Sequence, residues 1–256
     1  MKKYILFINF LIAFTSYCQT NAKITYKSLL LKNSYAPIYE ELIINGNQST
    51  YSLIKKIKPE SAIANEETGI TTLNRKWPDS IHPFILVNYK KKEIISKVYL
   101  TENDGESFKE YNIIEPFSIK WVLHQETSQI KNYNCKKATT KFRGRVYTAW
   151  YTEQIPLPVG PWKFSGLPGL ILKVQDDKGE VSFIAENIKI PHKTTLKIPK
   201  TIYTNNITIN TYSTLRDDYD KKSEKIFRTK LLAKLPRGAS IEMTEDDNNE
   251  IEKKIE

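Results

Sequence analysis

From about residue 38 to residue 188 the chain is a succession of short apolar and β-branched runs, each closed by a turn signal. This succession constrains the fold more than any other feature. A parallel sheet needs a crossover of a dozen or more residues between strands, usually a helix, and none is legible here. Tyr39–Ile44 and Ser49–Ile54 flank Asn45-Gly46-Asn47-Gln48, a hairpin signal because Asn and Gly tolerate positive φ. Phe84–Tyr89 and Glu93–Leu100 flank three lysines, and Asn103-Asp104-Gly105 precedes Ser107–Ile113. Phe117, Ile119, Trp121 and Leu123 recur every second residue, the period of a strand with one buried face. Tyr133–Phe142, Arg145–Thr152, Leu170–Gln175 and Glu180–Ile188 read as further strands, and Lys197–Thr204 and Ile207–Tyr212 as edge strands. Thr214–Leu235 is the one helical pattern, with Ser213 or Thr214 as its cap and Pro236 and Gly238 beyond its end. The expected fold is mainly β: an antiparallel meander forming a curved sheet or half-barrel, with one C-terminal helix.

The first residues carry a different message. Lys2 and Lys3 precede an apolar run, Tyr4–Phe14, interrupted only by Asn9. A membrane-spanning helix needs about 20 apolar residues, whereas a secretory leader needs about 7–15. Residues 1–18 therefore read as a signal peptide, with Ser16 and Cys18 as the small residues before cleavage. A lipid-anchoring signal also ends at a cysteine, but it calls for a small residue where Tyr17 stands. The expectation is export to the periplasm or beyond, with lipid anchoring at Cys18 the lesser alternative. No later segment is apolar enough to span a membrane. Residues 19–240 read as a single β-rich domain, densest in signal over 117–188. Residues 241–256 read as a disordered tail.

Charge and cysteine content narrow the function. The chain carries a net charge of +10, and the tail holds seven acids and two lysines. Without the leader and tail the body is about +13. Such a body suits an anionic partner, or simply solubility. Export argues against nucleic acid. Loss of Cys18 with the leader would leave Cys135 as the one thiol, so no internal disulfide could form.

Between two of the strands lies Glu153–Gly169, with Pro156, Pro158, Gly160, Pro161, Gly166, Pro168 and Gly169. Pro fixes φ and Gly permits unusual φ, so this loop has a defined shape. Pro168-Gly169 fits the centre of a type II turn. Leu157, Trp162, Phe164 and Leu167 give the loop an apolar surface. In one reading it folds back and closes the core. In the other it forms the lip of a binding site for an apolar ligand such as a lipid, or for an envelope protein partner, with Trp150, Trp162, Phe164, Gly166, Leu167, Pro168 and Gly169 around it.

Gly166-Leu167-Pro168-Gly169-Leu170-Ile171 spells the motif that names the GLPGLI family. Tyr133-Asn134-Cys135-Lys136-Lys137-Ala138, Phe142-Arg143-Gly144-Arg145, Ala149-Trp150-Tyr151-Thr152 and Gly160-Pro161-Trp162-Lys163-Phe164 agree with it. The chain resembles that family over its central third. The resemblance implies export in a Bacteroidota-type group and carries no established activity. Strand order and the single helix also resemble lipoprotein carriers, whose curved sheet wraps a helix around an apolar cavity.

Reactive candidates are few. Cys135 with His124 would suit a thiol enzyme or redox protein, but a lone Cys is also a common core residue. Arg143 and Arg145, two apart, would share one face of a strand and could hold an anion, or pair with Asp176 and Asp177. His82, His124 and His192 lack metal-site spacing, and no hydrolase or nucleotide motif is present. No cofactor, no metal and no catalytic residue are expected. The sequence reads as a non-catalytic binding module, with a thiol enzyme and a structural envelope-assembly protein as alternatives.

Overall fold

The computed structural model describes residues 21–30, 38–55, 84–101, 107–116, 119–193 and 195–232. The segment expected to be a leader, with Cys18, the polar segment from residue 56 to His82, Phe117 and the acidic tail lie outside them. The mainly β reading holds. One open sheet contains β1 (Ala22–Leu30), β2 (Ile38–Asn45), β3 (Gln48–Lys55), β4 (Phe84–Asn88), β5 (Glu93–Thr101), β6 (Phe108–Pro116), β7 (Val122–Ile130), β8 (Tyr133–Phe142), β9 (Arg145–Thr152), β10 (Leu170–Asp176), β11 (Val181–Lys189) and the two-residue β12 (Asn206–Ile207). Its order is β12-β6-β5-β4-β3-β2-β1-β11-β10-β9-β8-β7. Only β12 against β6 is parallel.

The first described strand thus lies in the middle of the sheet. β1 to β6 step outward in one direction. β7 then begins the opposite edge, and β8 to β11 step back until β11 pairs with β1. The hairpin signals were legible for chemical reasons. Gly46 has φ +58 at the β2–β3 turn. Arg143 and Gly144 have φ +51 and +75 between the paired Phe142 and Arg145, matching a two-residue turn that needs positive φ twice.

One face of the sheet holds the main core. Ala22, Ile24, Tyr26, Leu42 and Tyr51 come from the first half, and Tyr147, Ala149, Val174, Phe183 and Ala185 from the second. A smaller cluster of Phe84, Leu86, Ile95 and Ile202 lies apart from it. Ile202 belongs to a 3-10 turn, Lys200–Tyr203, where an edge strand was expected. Side chains impose this turn: Lys97 Nζ donates to Thr201 Oγ1 at 2.6 Å, and Asn112 Nδ2 donates to the carbonyls of Thr201, at 2.7 Å, and Thr204.

The second expected edge strand is also shorter than its pattern. Helix α1 runs from Ile209 to Leu232, and its cap is Thr208, whose Oγ1 accepts from the Thr211 amide at 3.1 Å. Thr214, a cap in the sequence reading, lies inside the helix and donates to the Asn210 carbonyl. The alternation through Leu123 misled similarly. Residues 119–121 are not a strand, because Thr140 Oγ1 donates to the Lys120 carbonyl at 2.7 Å and Trp121 Nε1 to the Ser165 carbonyl at 2.8 Å. β7 follows with Val122 and Leu123 largely exposed.

Gly169 is required for a reason other than the one its turn suggested. Its φ is not in the left-handed region; that role falls to Gly166, at +89. A Cβ on Gly169 would instead lie 2.0 Å from the Thr152 carbonyl oxygen. Gly169→Ala is therefore expected to cost about 3 kcal/mol or more in urea unfolding, because the contact is with backbone. Gly46→Ala, where a Cβ would meet nothing within 4 Å, is expected to cost only about 1–2 kcal/mol from its positive φ. Equal losses at the two positions would refute the close-approach account.

Candidate functional site

The loop between β9 and β10 folds onto the main core. Three of its prolines sit at the centre of three-residue turns. Leu157 N donates to the Ile155 carbonyl, Val159 N to Leu157 and Gly169 N to Leu167, each at 2.8 Å. Proline's fixed φ of about −65° is close to what such a turn requires. Gly166 N then donates to Pro158, Leu170 N to Ile155 and Ile171 N to Val159, so the loop is knitted to itself and to β10.

This frame presses Trp162, Phe164 and Leu167 against the sheet, where they are 9 %, 1 % and 1 % exposed. Phe164 is the hub. Its ring lies 4.7 Å from Tyr147, 5.2 Å from Trp162, 6.0 Å from Trp121, 6.1 Å from Phe183 and 6.3 Å from Phe142, all tilted or edge-on. Trp162 adopts φ +52, uncommon for a bulky residue, and is held there by this packing.

Charged residues pin the plug. Glu115, at the end of β6, pairs with Arg143 in the β8–β9 turn and, at 2.5 Å, with Lys163 in the loop, all three largely buried. Arg145 pairs with Asp176 at 2.7 Å and Glu180 at 2.5 Å. The two arginines therefore do not share a strand face. Arg143 is in a turn and Arg145 opens β9, and each serves a different carboxylate. Removing one partner of a buried pair typically costs about 3–5 kcal/mol, so these residues are structural before anything else.

A polar cluster lies beside the plug. Tyr26 OH donates to the Ile171 carbonyl at 2.7 Å, and Glu40 Oε2 accepts from Tyr51 OH at 2.7 Å and Ser28 Oγ at 2.5 Å. Burial raises the Glu40 carboxyl above its ordinary pKa, against the lowering effect of the two hydroxyl donors.

Cys135 is buried, its thiol donating to the Tyr133 carbonyl at 3.6 Å, and burial raises its pKa. His124 shares a 2.8 Å hydrogen bond with Thr139, four residues along β8 from Cys135. The thiol and the imidazole are thus each bonded to a different partner. Among the described residues, no three His, Cys, Asp or Glu side chains are grouped to hold a metal ion.

Trp150 stands apart from the other candidates. Its neighbours Ala149 and Tyr151 are core residues, and strand alternation turns Trp150 toward the opposite side of the sheet, where it is half-buried and still packs against the edge of the main core. There, Thr148, Trp150, Lys173, Gln175 and Asp176 line a shallow groove of about 240 Å³. Thr148, Lys173 and Gln175 were missed in the sequence. Each has an ordinary strand surface identity, and only the β9–β10 register, with Lys173 opposite Trp150 and Gln175 opposite Thr148, brings them together.

Residues 142–173 match a family described as a protein of unknown function, Porph_ging. No curated protein matches. Two crystal structures of PNGF-II, in the C2 and P21 space groups, have a similar fold, each at 19 % identity and with TM-scores of 0.52 and 0.51. The likeness covers 76 % and 77 % of this chain but only 32 % and 33 % of those structures, so the chain spans about a third of their length. No helix among the described residues is long and apolar enough to cross a membrane.

The raised Glu40 pKa has a testable sign. A carboxyl favoured in its neutral form stabilises the fold below its unfolded pKa, and that contribution is lost as pH rises through the folded value. Glu40→Gln is expected to raise the unfolding temperature relative to wild type at pH 8, and to bring no gain at pH 4. Thermal unfolding at both pH values checks this, and a gain confined to pH 4 would reverse the assignment.

Proposed function

We propose that this chain is an exported, non-catalytic binding module that docks an envelope partner through the outer face of β8–β10. The observation that carries the reading is the plug. Trp162, Phe164 and Leu167 occupy the face where a carrier would hold an apolar ligand, and a lipid could enter only by displacing the Phe164 hub. Arg143, Arg145 and Lys163 are engaged by buried carboxylates, and Cys135 is buried with its thiolate disfavoured. The half-buried indole of Trp150, in a recess with polar walls, is left as the feature suited to recognition.

Protein purified from its own periplasm and measured by native mass spectrometry is expected to carry no lipid. Cys135 is expected to react with a thiol reagent near pH 7.5 only after denaturation. Co-purified lipid would move the ligand to the plugged face. Rapid labelling of the folded protein would end the non-catalytic reading.

A further inference from the structure

The groove beside Trp150 has a chemistry more specific than a docking surface. Two cross-strand rows meet there. Lys137, Trp150 and Lys173 lie opposite one another on β8, β9 and β10, so a lysine stands on each side of the indole at strand spacings of about 4.8 Å. The adjacent row is Thr139, Thr148, Gln175 and Ser182, from β8 to β11, all hydroxyl or amide side chains. An aromatic plane beside a line of hydrogen-bonding groups, with ammonium groups at its flanks, is complementary to a ring that is apolar on one face, hydroxylated at its rim and negatively charged.

The geometry points to one acidic sugar ring of a polysaccharide, stacked on Trp150 with its carboxylate toward Lys173. This rests on the binding-module reading above. Size favours it over a lipid or a drug-like ligand: about 240 Å³ falls below the roughly 300–1,000 Å³ typical of such sites. Charge favours an acid. Lys137 is held by Glu126 at 2.9 Å, but Lys141 is exposed on the same face, and Lys173 has no ion-pair partner among the described residues. Asp176 and Glu180 are held by Arg145, and Asp177 lies beyond them in the β10–β11 turn. The carboxylate is therefore expected at the Lys173 side of the ring. A docking protein would be anchored more typically by a cluster of aromatic and arginine residues than by a single indole in a hydroxyl-rich row.

The test is titration calorimetry of protein purified from its own host against polygalacturonate, alginate and hyaluronate, with dextran as the uncharged comparison. At least one uronic-acid polymer is expected to bind more tightly than dextran. Trp150→Ala is expected to weaken that binding by at least about tenfold, as loss of an aromatic anchor does. Trp150→Phe should lose less, and Lys173→Gln should lose affinity together with much of the salt dependence. Thermal unfolding of the three variants separates binding from folding, with Phe and Gln as the readouts if the Ala variant is unstable. Equal binding by wild type and Trp150→Phe and Lys173→Gln would mean association through bulk charge alone and would overturn the inference, as would equal affinity for dextran. If no polymer binds, the sugar inference fails. A photo-crosslinker at Thr148 then decides the broader reading: capture of an envelope protein preserves docking, and no capture removes that too.

Discussion

The insertion of Phe164 beneath the curled sheet holds this molecule together. A sheet that curves without closing leaves a concave apolar face, and something other than a strand must cover it. Here the cover is supplied from within, by the connection between β9 and β10. The Phe164 ring meets residues from β8, β9 and β11 and from the approach to β7, so one side chain joins parts of the chain that are not adjacent in the sheet. Truncating a buried Phe typically costs about 3–5 kcal/mol, a large share of the 5–15 kcal/mol by which whole domains are stable.

The plug's position follows from the prolines and glycines around it. Pro156, Pro158 and Pro168 bend the backbone by short local turns, Gly166 supplies a left-handed step, and Gly169 lets the chain pass against the Thr152 carbonyl. The ion pairs of Glu115 with Arg143 and Lys163 then tie the plug to β6, toward the opposite edge of the sheet. Apolar packing supplies the attraction, and the charged pairs select which end of the sheet receives it.

Much of the fold was legible because its signals are local. Gly46 and the Arg143-Gly144 pair mark turns by what their backbones must do, and β8 and β9 have the bounds their residue types suggested. What misled was local pattern overruled by distant partners. Asn112 and Lys97, about ninety or more positions away, turn Lys200–Tyr203 into a 3-10 turn. The Ser165 carbonyl draws Trp121 out of a strand pattern. The site shows the same division. Trp162, Phe164 and Leu167 were identifiable as apolar loop residues, although their burial does not follow from spacing. Thr148, Lys173 and Gln175 carry no signal until register sets them beside Trp150.

The central place of β1 bears on how the molecule assembles. β1 is the first described strand, yet one of its two partners is β11, the last long one, with Lys23 opposite Lys189. Until β11 emerges, one edge of β1 remains unsatisfied and the two halves of the sheet have no shared strand. Pairings at such separation pay their loop-closure cost before any reward and slow the final step of folding. A chain built this way can complete its sheet only after its last long strand is available, so the two halves are joined late however early each hairpin forms.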